Sequence, residues 1–252
     1  MSVIAFSQAP RVLERNLMVY RHTWTVIFSG FFEPLFYLFS LGIGLGHFVG
    51  RVHGVGYASF VAPALLASSA MNGAYYDSTN VFWKLKYARV YDAMLATPIG
   101  PPDVAVGETC WALFRGLLYS GAFLVTAAAL GLVHSAWAIL ALPAAAAIGY
   151  AFAGVGVAAT TWMRSWQDFE VLQLAILPMF LFSATFYPLS VYPEAIQVFV
   201  RLTPLYHGIH LLRSLTLGTV GPWQLGDLAY LLAMGTIGLL VAQRRIGRLL
   251  LK

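Results

Sequence analysis

His207 and His210 stand three residues apart, a spacing that puts two imidazoles on one helical face where they could hold a metal ion. A metal centre needs further ligands, and no carboxylate or cysteine lies close to them in sequence. The pair is therefore read as polar residues at a membrane interface. His47 and His53 flank Arg51 in a short glycine-rich stretch and read as loop residues. The single cysteine, Cys110, excludes a disulfide framework and a multi-cysteine metal site. A phosphate-cradling loop needs Gly-x-x-x-x-Gly-Lys-Ser/Thr. The only lysines are Lys84, Lys86 and Lys252, and none follows a glycine. No bound cofactor is expected on this chain, and any ATP hydrolysis would belong to another.

Ionisable side chains inside apolar stretches are costly to place and mark function or packing. Glu33 precedes Pro34 in the first apolar block, and Asp77 closes the second. Glu108 and Arg115 lie seven apart on one face of the third, and Asp168 and Glu170 open the fifth. Two helical turns separate Glu108 from Arg115 by about 10 Å, too far for a direct bond. The expected partner of Arg115 is Glu33, across two helices. Glu33, Glu108 and Arg115 are the candidates for a polar pathway. Asp77, Glu108, Asp168 and Glu170 are expected near the cytoplasmic interface. An intramembrane enzyme acting on a lipid would need two or three such groups at one depth, and no convincing set is present.

The elements that must position these groups are hydrophobic blocks. Of 252 residues, 60% are hydrophobic and 10% charged, whereas a soluble domain carries roughly a quarter charged residues. The mean hydropathy is +0.74. The apolar residues fall in blocks near the ~20 residues a bilayer requires. The expected fold is an all-α membrane protein, one domain over 1–252, with six transmembrane helices. They run about Thr25 to Gly46, Ala58 to Val81, Val104 to Leu130, Trp137 to Trp162, Phe169 to Tyr187 and Leu225 to Gln243. Eleven of the Lys and Arg residues fall on one side of that arrangement and three on the other. Cations concentrate in cytoplasmic loops, so both termini and the 83–103 loop are expected in the cytoplasm, with the chain in the cytoplasmic membrane. The net charge of +5 then reflects anionic lipid rather than nucleic acid.

Three further segments interrupt the blocks. Over 11–24, Leu13, Leu17, Tyr20 and Trp24 share one face, which predicts a helix lying in the interface plane. Over 84–97, Tyr87, Val90, Tyr91, Met94 and Leu95 form one apolar stripe, with Arg89 and Asp92 as an i,i+3 pair on the other side. Thr97-Pro98 ends that short cytoplasmic helix, and Asp103 or Gly107 is expected to begin the next. Over 188–217, four prolines around two short apolar pieces predict a broken, re-entrant pair on the external side. Phe182, Phe186, Tyr187, Pro204 and His207 are the gate candidates there.

Two stretches carry a family likeness: "YDAMLATPIGPPDVAVGETCWALFRG" over 91–116 and "FSATFYPLSVYPEAIQVFVRLTPLYHGIHLLRSLTLG" over 182–218. They resemble the membrane subunit of an ABC-2 type exporter, in the branch of nodulation protein J and daunorubicin-resistance permeases. The resemblance implies a permease that is not itself an enzyme. It implies pairing with an identical or homologous permease and two copies of an ATPase subunit that binds ATP and Mg2+. It makes 84–97 the coupling helix seated on that ATPase, with contacts from Tyr87, Arg89, Tyr91, Asp92, Met94 and Leu95. It makes 11–24 the interface helix and 188–217 the external closure. The cargo it implies is an amphiphile: lipid, glycolipid or hydrophobic drug. One departure stands out. Where many members carry an acidic run before the coupling segment, this chain has the basic "KLKYARVYDA". A non-transporting membrane scaffold is the remaining alternative.

Overall fold

The computed structural model describes residues 8–20 and 32–251; Trp24 and the 25–31 start of the first expected span lie outside them. Helix α1 is Ala9–Tyr20. A continuous helical stretch, α2, runs Phe32–Val49, with π-helical turns over Leu38–Leu45. A two-residue hairpin, β1 (Arg51–Val52) against β2 (Val55–Gly56), pairs Arg51 with Gly56 and leads into α3, Tyr57–Lys86. Then follow α4 (Val90–Leu95), α5 (Pro101–Ala129), α6 (Ala141–Thr160) and α7 (Asp168–Phe182). The chain closes with α8 (Glu194–Leu202), α9 (Pro204–Leu217) and α10 (Trp223–Leu250).

Four stretches are long and apolar enough to cross a membrane: Phe32–Val49, Pro101–Ala129, Ala136–Thr160 and Trp223–Leu250. The second expected span becomes a 30-residue helix, long enough but interrupted by polar residues that include Asp77, Lys84 and Lys86. The fifth becomes 15 helical residues, about 22 Å at 1.5 Å per residue, short of a hydrocarbon core of about 30 Å.

Helices α3, α5, α6 and α10 form the core, with α9 closing one end. Small residues set the spacing. Gly154 of α6 lies against the backbone of Gly235, and Gly238 of α10 against that of Gly154, a close approach suited to helices in lipid. Gly44, expected at a packing position, faces open space.

Local chemistry explains the boundaries near the two ends of the bundle. The expected 84–97 helix is divided. Lys84 to Lys86 finish α3, and the amides of Tyr87 and Ala88 both donate to the Trp83 carbonyl. Arg89 then takes a left-handed conformation (φ 45°), so α4 begins only at Val90. Helix α5 starts earlier than expected, at Pro101, because prolines suit a first helical turn where no N–H bond is needed. The Asp103 carboxylate accepts from the Gly100 amide (3.0 Å) and from the Gln8 amide (3.3 Å), tying the start of α1 to the start of α5. At the opposite end, Thr203 is extended (ψ 135°) because Pro204 disfavours the helical region for the residue before it. That separates α8 from α9 at the expected position.

Candidate functional site

The Glu108 carboxylate lies at the α4 end of the bundle with no exposed surface. Its Oε2 accepts from Lys84 Nζ at 2.7 Å and Asn16 Nδ2 at 3.0 Å. Its Oε1 accepts from Lys84 Nζ at 3.0 Å and the Tyr91 hydroxyl at 2.9 Å. Lys84 also donates to Asn16 Oδ1 at 3.1 Å. One carboxylate thus joins α1, α3, α4 and α5, and both its oxygens are fully engaged. A buried ion pair stands only where such bonds offset desolvation. Burial, and then the adjacent carboxylate, push the Tyr91 phenol well above its ordinary value, so it remains a donor.

This arrangement sorts the residues expected on the short helix. Tyr91 and Met94 are buried against Val81, Val104 and Val157; Leu95 is half-buried. Tyr87 lies outside the stripe, exposed and stacked on Trp83 at 5.0 Å. Arg89 and Asp92 are both exposed and form no ion pair among the described residues, because Arg89 precedes the helix instead of belonging to it. On α1, Val12 and Asn16 face the bundle, Val12 against Gly107, while Leu17 is exposed and Leu13 and Tyr20 are intermediate. The stripe read from the sequence is the outward face of that helix. The buried face, with its one amide, was hidden by that stripe.

A second buried pair lies further along the same two helices. Arg115 Nη1 donates to Asp77 Oδ1 at 2.8 Å, as does Trp111 Nε1 at 3.1 Å, and Arg115 Nη2 donates to the Tyr119 hydroxyl at 2.8 Å. Arg115 therefore pairs with Asp77, not Glu33, because α3 and not α2 packs along α5. Asp77 is buried within the bundle instead of lying at an interface. Glu33 hydrogen-bonds Tyr76 on a face this chain leaves uncovered, beside a cleft of about 520 Å³ lined by Phe32, Phe36, Tyr37 and Ser40. Asp168 accepts from the Arg164 amide at 2.6 Å and so closes the turn before α7.

The α9 end holds an arrangement that the sequence reading missed. Asp227 of α10 stands between the two histidines: Oδ1 is 2.7 Å from His207 Nδ1 and Oδ2 is 2.6 Å from His210 Nδ1. His207 stacks on Tyr230 at 4.1 Å, and the Tyr230 hydroxyl donates to the Leu202 carbonyl. An aspartate in the first turns of an apolar helix was the available signal. Among the described residues no group of three or more His, Cys, Asp or Glu has metal-holding geometry; here the carboxylate fastens α9 to α10. Asp227→Ala should lower stability by about 1–3 kcal/mol, and His207→Ala added to it should cost little more in a double-mutant cycle by detergent unfolding. Phe186 is buried against Tyr37 and Phe180, while Phe182 and Tyr187 are exposed. Pro204 opens α9, half-buried.

Comparison with known proteins bears on this geometry. Residues 7–217 match the ABC-2 type transporter family. The chain is 36% identical over 210 residues to nodulation protein J of Rhizobium leguminosarum bv. viciae, covering 82% of this chain and 81% of that protein. It is 34% identical over 211 residues to nodulation protein J of Rhizobium meliloti strain 1021, covering 82% and 80%. The inner membrane transport permease YadH of Escherichia coli K12 is 28% identical over 181 residues, covering 69% of this chain and 68% of that protein. A helical chain with four membrane-length apolar stretches, similar to these proteins over most of its length, is a multi-pass transport permease: it belongs to the ABC-2 type transporter family.

Proposed function

We propose that this chain is the membrane-spanning subunit of an ATP-binding cassette exporter and moves an amphiphile (lipid, glycolipid or hydrophobic drug) outward across the cytoplasmic membrane. A separate ATPase, two copies per transporter, binds ATP and Mg2+. A second permease, identical or homologous, completes the assembly. Six helices cross the bilayer, α3 and α7 included, with both termini and α4 in the cytoplasm. Helix α1 is the interface helix, α4 the coupling helix, and α8 with α9 the external re-entrant pair.

The observation that carries this reading is the Glu108 centre. A six-residue helix with no long element of its own is bonded by Tyr91 to a carboxylate that also binds α1, α3 and α5. A push on α4 from below therefore reaches two long helices at once. Its other side is free: Arg89, Asp92 and Ala93 are exposed and available to a soluble subunit. Glu33 supports a path along the uncovered face of α2, since a carboxylate facing hydrocarbon is expensive and one facing water between two subunits is not.

Proteoliposomes holding the permease and its ATPase test the proposal. ATP should drive outward movement of a labelled amphiphile. Ala93→Trp, on the exposed side of α4, should cut ATP-driven transport more than tenfold while insertion and Tm stay unchanged. Undiminished transport in that variant removes α4 from the coupling role, and uphill flux by the isolated permease removes the ATPase.

A further inference from the structure

A cavity of about 260 Å³ opens beside the Glu108 centre, between α1 and the end of α3. Its walls are polar and rich in donors: Arg15, Asn16 and Tyr20 from one helix, Asn80, Trp83 and Lys84 from the other. Asn16 has no exposed surface and Lys84 is 7% exposed, so two of its polar walls are fixed parts of the interior. Lys84 is neutralised by Glu108. Arg15 is not: its one hydrogen bond is to Asn16 Oδ1 at 3.2 Å, and no carboxylate pairs with it among the described residues. Burial, more than the nearby Asp77 carboxylate, raises the Tyr20 phenol to about 12, which keeps it a neutral donor. The net charge facing the cavity is positive. Trp83 and Val19 at its edge are both about half exposed, an apolar rim to a cationic interior.

We propose that this cavity binds the phosphate headgroup of an anionic amphiphile, with Arg15 as the charge partner and the acyl chains leaving past Val19 and Trp83. The volume is below the ~300–1,000 Å³ of sites that enclose a whole small ligand, and it suits a headgroup whose tails stay in lipid. Arg15 supplies a planar donor fork matched to phosphate oxygens. The inference deepens the permease reading and rests on it for one point only, that this end of the bundle meets the inner leaflet. It adds a consequence. Lys84 and Asn16 line the cavity and also hold Glu108, and Glu108 accepts from Tyr91. An anion that draws on the Lys84 ammonium loosens the hold on α4, so headgroup occupancy reaches the coupling helix through two hydrogen bonds.

Equilibrium binding to the purified full-length permease in detergent, with no ATPase present, tests the site apart from transport. Dioleoylphosphatidylglycerol and dioleoylphosphatidic acid should bind at least tenfold tighter than dioleoylphosphatidylcholine. Inorganic phosphate should compete only at far higher concentration. Arg15→Gln should weaken phosphatidylglycerol binding about tenfold with Tm unchanged. Arg244→Gln, a basic residue on α10 outside the cavity, should leave it unaltered. Trp83→Leu, half exposed, serves if Arg15→Gln fails to fold and should weaken binding severalfold. Equal binding of the anionic and zwitterionic lipids overturns the proposal. So does equal loss in the Arg15 and Arg244 variants, which would mark bulk charge attraction. Competition by inorganic phosphate at lipid concentrations overturns the amphiphile and leaves a soluble phosphate site. Failed transport with intact binding would count against the permease reading and not against the cavity.

Discussion

Glu108→Leu should destabilise the folded chain by about 3–5 kcal/mol, because it leaves the Lys84 ammonium buried with no carboxylate. The hydroxyl of Tyr91 and the amide of Asn16 lose the same acceptor. Leucine fills much of the vacated volume, so the loss is electrostatic and not a cavity effect. Adding Lys84→Met should recover most of it, since removing both charges removes the desolvation cost together with the attraction. What remains is the price of two unpaired donors, about 1–3 kcal/mol each at most. Detergent unfolding read by helix content measures both variants. A single variant no less stable than the double would show that the pair contributes nothing. The double variant also separates folding from coupling. It should insert and hold its fold, but α4 has lost its only hydrogen bond to the long helices through Tyr91. Hydrolysis by the partner ATPase should then persist while transport falls.

The stripe of Tyr91, Met94 and Leu95 was legible because one face of a short helix repeats at helical spacing, and the break at Thr203-Pro204 was legible because proline acts on its neighbour. The partners of Glu108 were not. Lys84 belonged by composition to a cytoplasmic loop, yet the helix carries on three residues past the last apolar run. Asn16 is one amide on a helix whose apolar stripe points elsewhere. A signal for the ion pairs was nonetheless present. Asp77 and Lys84 are an acid and a base seven residues apart on α3, and Glu108 and Arg115 are an acid and a base seven apart on α5. Each pair is too distant to bond within its own helix. Laid antiparallel, the helices bring each acid to the other's base, at 2.8 Å and 2.7 Å. Matching spacing of opposite charges on consecutive apolar segments therefore predicts their register, which single-residue reading cannot. Asp227 was passed over for the same reason as Asn16: its partners lie on another helix, 17 and 20 residues back in sequence.

Gly73→Val tests that register from the packing side and should match the loss of both ion pairs. A methyl at position 73 would stand 2.6 Å from the Gly116 Cα and 2.9 Å from its amide nitrogen. Those are backbone atoms of α5 and cannot turn aside as a side chain could. The helices must move apart, and they are rigid over many turns. Asp77 lies one turn from Gly73, so separation there lengthens the 2.8 Å bond to Arg115. Three turns along, it opens the Lys84–Glu108 contact as well. Buried charges separated in a low-dielectric interior are worse than absent. The expected cost exceeds the roughly 1–3 kcal/mol of ordinary overpacking, and the variant should be found unfolded or degraded after expression. Gly121→Val is the control: the same helix and substitution type, but the nearest atom is the flexible end of Leu142 at 3.6 Å. It should insert with a Tm close to that of the parent chain. If Gly73→Val inserts and melts like Gly121→Val, the contact between α3 and α5 does not set their register, and the two ion pairs must hold it alone.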